Sequence, residues 1–487
     1  MSVNTSAAPA KCTTPVRPRR WRYQPELNVP HLSSHESMRI QSQPQALAQL
    51  LSAETLQQLA QQCQAADRRQ RKLTCTVFFW LTVLAFGPGG TTNLHQLASH
   101  LVSAGLLAGL HLSAGSLSKE ALSENFRERP WQYFEAVLAH LLQAYAHWWQ
   151  QLAGLPQRLV VEQLHVLLID STSMQVATKL FSLFPGRATG KRQHWAGLKL
   201  HLGWRLFKSV PEVVALTPEK QNALKTSFLR PAGERVLYIF DLGYWAYHLF
   251  DRIIEHEQHF LSRLRHDCNP PILAVRQGEP RWVGKRLKEI ELTGTMVDLV
   301  VRLRGSHPLH PQMHYDVRLI GHWLTQDQVW HLYVTSLMDS LSYPVLLLVD
   351  LYRLRWQIEM LFRNLKCVLR IANFVSTSEN GIRIQIYAAL IHYVLTHLLM
   401  LKAMQHTGRR LEDFSVPYCL EAVQQVLEQT HALTLVHGQT VDWRTLESLL
   451  LEAVIRLGLR PNRKRPRLIT KVKSDLQLLN VAPASAP

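Results

Sequence analysis

At Leu164 the hydrophobic period of this chain changes, and that change constrains the fold more than any other feature. Before it, apolar residues recur at three- and four-residue spacing, the period of helices. After it come LHVLLID (Leu164–Asp170), WAGLKLHLGWRL (Trp195–Leu206) and VPEVVAL (Val210–Leu216), short apolar or alternating runs that read as consecutive strands. A helix is expected at Pro218–Leu229, a fourth strand at Glu234–Asp241, a helix at Tyr244–His256 and a fifth strand at His259–Leu264. Two of these strands end in an acid, Asp170 and Asp241. One sheet can therefore bring together carboxylates from distant parts of the chain.

Three strands in a meander, then helix, strand, helix, strand, is the order of an RNase H-like α/β domain. The expected fold class is thus α/β, with an RNase H-like catalytic core (a mixed five-stranded sheet with helices) over residues 161–265 and 346–405. Between its halves, residues 266–345 read as a β-rich insertion outside those five strands, carrying PILAVR, EIELTG, MVDLVVRLR, HYDVRLIGHWL and VWHLYVTSL. All-helical regions flank the core at 41–160 and 406–487, the second ending in the basic stretch LGLRPNRKRPRLITKVK. This tail reads as a mobile phosphate-binding or solubilising appendage. Residues 1–40, with arginines among prolines, read as a basic flexible arm. In the N-terminal region Asn93 can cap one short helix and Ser116 another through Phe126, with Glu120 as the capping-box acid, which is the grammar of a helix-turn-helix DNA reader over Ser116–Arg127.

The stretch Asp350–Lys366, DLYRLRWQIEMLFRNLK, lacks Gly and Pro and reads as one helix. At ~100° per residue, Tyr352, Arg355, Glu359 and Lys366 fall within about 60° of one another. A carboxylate in such a row suits a divalent metal, with its basic neighbours gripping phosphate oxygens. A solvated charge face is the alternative, and composition weighs against it. Lys and Arg number 54 against 36 Asp and Glu, a net charge of +18, so polyanions are attracted and nucleic acid is the first partner to expect. Six scattered cysteines without CxxC spacing fit a reducing compartment, and the longest apolar run, Cys75–Phe86, is too short to span a membrane.

Asp170, Asp241 and Glu359 together can hold two Mg²⁺ or Mn²⁺ ions, roughly 3.5–4 Å apart, for in-line phosphodiester displacement. The spacing Tyr352-x2-Arg355-x3-Glu359-x6-Lys366 resembles the YREK signature of DDE transposases of the insertion-sequence family 4 type, found in bacterial mobile elements. IDST at Ile169–Thr172, LKLH at Leu198–His201, FDLGYW at Phe240–Trp245 and FLSRLR at Phe260–Arg265 are similar to that family's further motifs. Leu242 stands where the family more often has Arg, which removes one phosphate contact. The resemblance covers Leu164 to about Met404. It implies cut-and-paste transposition by two-metal cleavage and strand transfer, with Asp170, Asp241 and Glu359 as catalytic metal ligands. Tyr352, Arg355 and Lys366 would be DNA contacts, and Trp330, with Trp323 as second choice, would stack on a flipped base. It also implies double-stranded DNA partners (terminal inverted repeats and target), a homodimer on DNA, no membrane and a cytoplasmic, nucleoid-associated site of action. A structure-selective nuclease on the same fold and a catalytically inactive, transposase-derived DNA-binding protein are the rival readings.

Overall fold

The computed structural model describes residues 47–67, 73–87, 93–108, 110, 117–152, 164–187, 195–221, 228–304, 312–437, 441–461 and 466–481. The expected basic arm and Ser116 lie outside these residues. The N-terminal helices are α1 (Leu47–Leu50), α2 (Ala53–Gln62), α3 (Cys75–Ala85), α4 (Leu94–Ser99), α5 (Leu101–Leu107), α6 (Lys119–Glu128) and α7 (Gln132–Leu152). Asn93 caps α4 as expected, but the cap of α6 is Ser118, whose hydroxyl accepts from the Ala121 amide. The short helix therefore starts two residues later than the Ser116 reading placed it, with Glu120 in its first turn.

The sheet comprises β1 (His165–Val176), β2 (Ala196–Arg205), β3 (Val210–Pro218), β4 (Val236–Phe240), β5 (His259–Arg263), β6 (Ile272–Gln277), β7 (Met296–Val301), β8 (Val317–Leu324) and β9 (Val329–Thr335), with α8 (Tyr247–Glu255) between β4 and β5. Its order is β3-β2-β1-β4-β5-β9-β8-β7-β6. β4 lies parallel to β1 and β5, and the other pairings are antiparallel. The insertion strands are thus not a separate layer, because β9 hydrogen-bonds to β5 and carries the same sheet onward. EIELTG forms no strand; a 3₁₀ turn at Leu287–Glu289 precedes an irregular Ile290–Gly294. Pro218 closes β3 instead of starting a helix, while 222–227, the middle of the expected Pro218–Leu229 helix, lie outside the described residues.

Both faces of the sheet are covered, which is why its central strands read as unbroken apolar runs. Val166 and Leu168 join the core shared with the N- and C-terminal helices, while Leu167 and Ile169 join the core on the α8 side. After the sheet come α9 (Val345–Arg353), α10 (Trp356–Arg363), α11 (Glu379–Thr407), α12 (Val416–His437), α13 (Trp443–Leu457) and α14 (Leu468–Val481). By length and composition α11 could cross a membrane, but 94% of its apolar window is buried inside the protein.

Two further readings change. The single helix expected over Asp350–Lys366 is three pieces. The Arg355 amide bonds back to Tyr352 at 2.9 Å, an i,i+3 closure that tightens the chain between α9 and α10, and Asn364–Val368 then widens into a π turn. The expected mobile tail instead carries α14. Ile469, Val472 and Leu476 are buried, Lys471 bonds Asp350 at 2.7 Å, and the buried Lys473 pairs with Glu412. Its lysines anchor the helix to α9 and to the segment before α12, so the basic charge is partly spent inside the fold.

Candidate active site

The parallel pairing of β1 with β4 runs in register from His165↔Val236 to Ile169↔Phe240. The next residue on each strand is Asp170 and Asp241. β1 continues to Val176 on its β2 side, with Asp170 opposite Leu202, so Asp170 is an interior strand residue and not the strand end that its apolar run suggested. It is the end only of the pairing with β4. Side-chain alternation turns Asp170 to the Val166–Leu168 face, the face on which Ile358 and Leu361 of α10 are packed.

The guanidinium of Arg355 ties the acids together. Its Nη1 is 3.4 Å from Asp170 Oδ2 and its Nη2 is 2.6 Å from Glu359 Oε1. The Asp170 carboxylate also accepts from the Ser171 amide at 2.7 Å. Asp241 accepts from the Leu242 amide at 2.7 Å, capping a 3₁₀ turn, and stays exposed. Burial pushes the Asp170 carboxyl up to about 6; the Ser171 amide and Arg355 oppose the rise, and the neighbouring charges of Asp241 and Glu359 add to it. Burial would lower Arg355, yet Tyr352, Asp241, Glu359 and Asp170 outweigh it and hold the guanidinium above its usual value. One cation therefore feels all three acids, and through it a sheet and a later helix become one site.

The rest of the stripe follows Arg355. Tyr352 is buried, with its ring 4.8 Å from that of Tyr333 on β9 and 5.9 Å from the Arg355 guanidinium, and burial pushes its phenol up to about 12. Lys366, carried by the π turn, donates to the Ser173 carbonyl of β1 at 3.0 Å, and burial lowers its ammonium. Trp330 is not drawn into this cluster by any hydrogen bond or ring contact found among the described residues. It lies partly buried on β9, directly across from Trp323, with ring centroids 5.6 Å apart.

Two neighbours were not singled out from the sequence. Trp356, adjacent to Arg355, leaves 61% of its surface exposed, unusual for an indole at a helix start. Its place off the apolar stripe of the helical pattern is the signal that could have found it. Arg263 ends β5; with Phe240 opposite Ser262 and Arg263 opposite Tyr333, it continues the row that begins at Asp170 and Asp241. Only the sheet register shows that.

The donor set suits a hard divalent cation: converging carboxylate oxygens, with one cation already bridging two of them. Arg355 Nε is buried and has no partner among the described residues, a donor left over for an anionic oxygen. Among the described residues no three acids or imidazoles stand close enough to form a ready-made ion cage. The arrangement is that of two carboxylates bridged by a guanidinium with a third in register beside them, and the guanidinium would have to turn aside for an ion to sit between Asp170 and Glu359.

Comparison with known proteins points the same way. Residues 162–395 match the family described as Transposase DDE domain. A Sinorhizobium fredii protein, y4zB, named as a transposase, is 29% identical over 220 residues, 43% of this chain and 57% of that protein. The match thus spans little more than half of that relative's length. A Geobacillus stearothermophilus protein named as the transposase of insertion element IS5377 is 25% identical over 389 residues, 76% of this chain and 88% of its own. The transposase for IS231F of Bacillus thuringiensis is 24% identical over 345 residues, 62% of this chain and 69% of that protein.

Proposed function

For a chain that carries a transposase DDE domain and belongs with the DDE transposases of bacterial insertion sequences, we propose that Asp170, Asp241 and Glu359 cleave and rejoin DNA in cut-and-paste transposition. The observation that supports this best is the bridge of Arg355 to Asp170 and Glu359 with Asp241 in register beside Asp170. The sheet from β1 to β5 with its helices is read as an RNase H-like core. Bound to these acids, two Mg²⁺ or Mn²⁺ ions would lower the pKa of the attacking water or 3′-hydroxyl and neutralise the leaving oxygen. The chain's own part is placement. Arg355, released from the carboxylates, has donors for a phosphate beside the scissile bond, and Lys366 reaches the same strand at Ser173. The partners proposed are the element's terminal inverted repeats and a target duplex, engaged as a homodimer in the cytoplasm at the nucleoid.

Strand joining tests this reading. The protein, Mg²⁺, a duplex carrying the ends of its element and a target plasmid should yield end-to-target joint molecules. Cleaved ends without joints would favour a structure-selective nuclease, and binding without cleavage an inactive derivative.

The state of Asp170 sets a pH dependence. Its folded value, about 6, lies above the ordinary 3.8, so the folded protein holds a proton that the unfolded chain releases between those values. The stability this group contributes is fully present below about pH 4 and is lost as pH rises through about 6. Ligation needs the carboxylate, so at limiting Mg²⁺ cleavage should fall as pH drops through about 6, and excess Mg²⁺ should move the fall to lower pH. A rate–pH profile at two Mg²⁺ concentrations checks both.

Base stacking is proposed for Trp356 ahead of Trp330, since only the former is broadly exposed beside Arg355. An aromatic platform contributes ~1–3 kcal/mol per base. Trp356→Ala should therefore slow end cleavage roughly five- to a hundredfold, and Trp330→Ala less; fluorescence of 2-aminopurine beside the cleavage site reports the loss of stacking. Equal effects of the two would return the role to Trp330.

A further inference from the structure

Beneath the two sheet acids runs a buried chain of hydrogen bonds. Asp241 opens the 3₁₀ turn Leu242–Tyr244, and Tyr244 closes it by donating its amide to the Asp241 carbonyl at 3.0 Å. The Tyr244 ring is buried against Phe240 and Phe228. Its hydroxyl lies 3.2 Å from His201 Nδ1, and His201 Nε2 lies 2.9 Å from Thr217 Oγ1 on β3. Thr217 donates in turn to the Pro218 carbonyl at 3.3 Å. For a neutral imidazole this direction fixes every donor: phenol to Nδ1, Nε2–H to threonine, threonine to carbonyl. Ser171 pairs with His201 in the β1–β2 ladder, and its amide holds the Asp170 carboxylate. A single phenol thus ties the turn that carries Asp241 to His201 of β2, the residue paired with the neighbour of Asp170 on β1.

We propose that Tyr244, oriented by His201 and Thr217, is a positioning residue that fixes Asp241 relative to Asp170 and thereby sets how tightly the pair takes a divalent ion. The proposal rests on the metal-dependent reading of those acids. The geometry is what such a role requires. Asp241 itself is exposed and, among the described residues, its carboxylate is held by its own turn, whereas the far end of that turn is clamped to β2 and, through His201, to β3. Hydrogen-bond partners one shell out from a metal commonly govern its affinity by 10–100-fold.

The test is Tyr244→Phe in the full chain, which keeps the ring and removes the peg. Mn²⁺ uptake without DNA, followed by electron paramagnetic resonance, should weaken by about tenfold or more. Single-turnover cleavage should fall in Mg²⁺ and recover in part at high Mn²⁺, while DNA affinity and the circular dichroism spectrum stay those of the parent. Thr217→Val, which frees His201, should shift Mn²⁺ uptake in the same direction by less. A Tyr244→Phe protein that takes up Mn²⁺ and cleaves like the parent would overturn the proposal, because a phenol that merely satisfies a core imidazole leaves metal handling alone. A parent protein that takes up no Mn²⁺ would overturn the metal reading itself, and that failure is seen before any variant is made.

Discussion

Asp170→Asn, Asp241→Asn and Glu359→Gln should each lower single-turnover strand cleavage at least about a hundredfold while leaving DNA affinity unchanged or slightly raised. Loss of one preorganised charge contact at a reacting centre costs that much or more. Affinity rests on the surplus of basic residues, and each exchange removes a negative charge facing a polyanion. Asp170→Asn carries a second expectation. Burial already works against the charged form of this carboxyl, so the neutral amide should not lower the melting temperature at pH 7.5 and should raise it. Cleavage above a few per cent of the parent in any one variant would remove that residue from the centre. A large fall in melting temperature for Asp170→Asn would show that its bonds to Arg355 and Ser171 matter more than its burial.

Arg355→Ala is expected to be nearly as damaging to chemistry, for a different reason. It removes the group that, among the described residues, touches both Asp170 and Glu359, and takes away the spare Nε donor. Two carboxylates then face each other without their bridging cation, and on the proposed reading a phosphate beside the scissile bond would lose a guanidinium partner. Cleavage of bound DNA should fall roughly a hundredfold, as misplaced reacting groups do. The salt slope of binding should fall by only about one, the signature of one lost phosphate contact. Lys366→Ala should act in the same sense but more weakly, since its ammonium is half committed to the Ser173 carbonyl. An Arg355→Ala protein that cleaves at the parent rate would make the stripe an ordinary charged helix face.

How much of this was legible in the residues differs by element. The strands of the core announced themselves because buried central strands need continuous apolar runs, and the helix expected at Tyr244–His256 showed its period too, although it begins only at Tyr247, after a 3₁₀ turn that Asp241 caps. The signal that singled out Asp170 was incomplete. Its run of apolar residues ends there because β4 stops pairing, while polar Ser171, Thr172 and Ser173 hide the continuation of β1 along β2. The breaks at Leu354–Arg355 and at Asn364–Val368 were not legible, since a sequence rich in helix formers carries no mark of an i,i+3 closure or a π turn. The basic tail misled through composition alone: Lys471 and Lys473 look like surface charge until Asp350 and Glu412, far off in sequence, are seen to meet them. For the same reason the alignment of Arg263 with the acids and the peg formed by Tyr244 required the sheet register.

The central claim is that Asp170, Asp241 and Glu359 make one metal-dependent centre for phosphodiester chemistry. Its most direct test is single-turnover cleavage of a duplex carrying the element's ends, with protein in excess and binding followed in the same samples, in Mg²⁺, in Ca²⁺ and in a chelator. Binding in all three, rapid cleavage in Mg²⁺, little in Ca²⁺ with its longer and looser coordination, and none in the chelator are the results this account predicts. Cleavage at the Mg²⁺ rate in the chelator would contradict it.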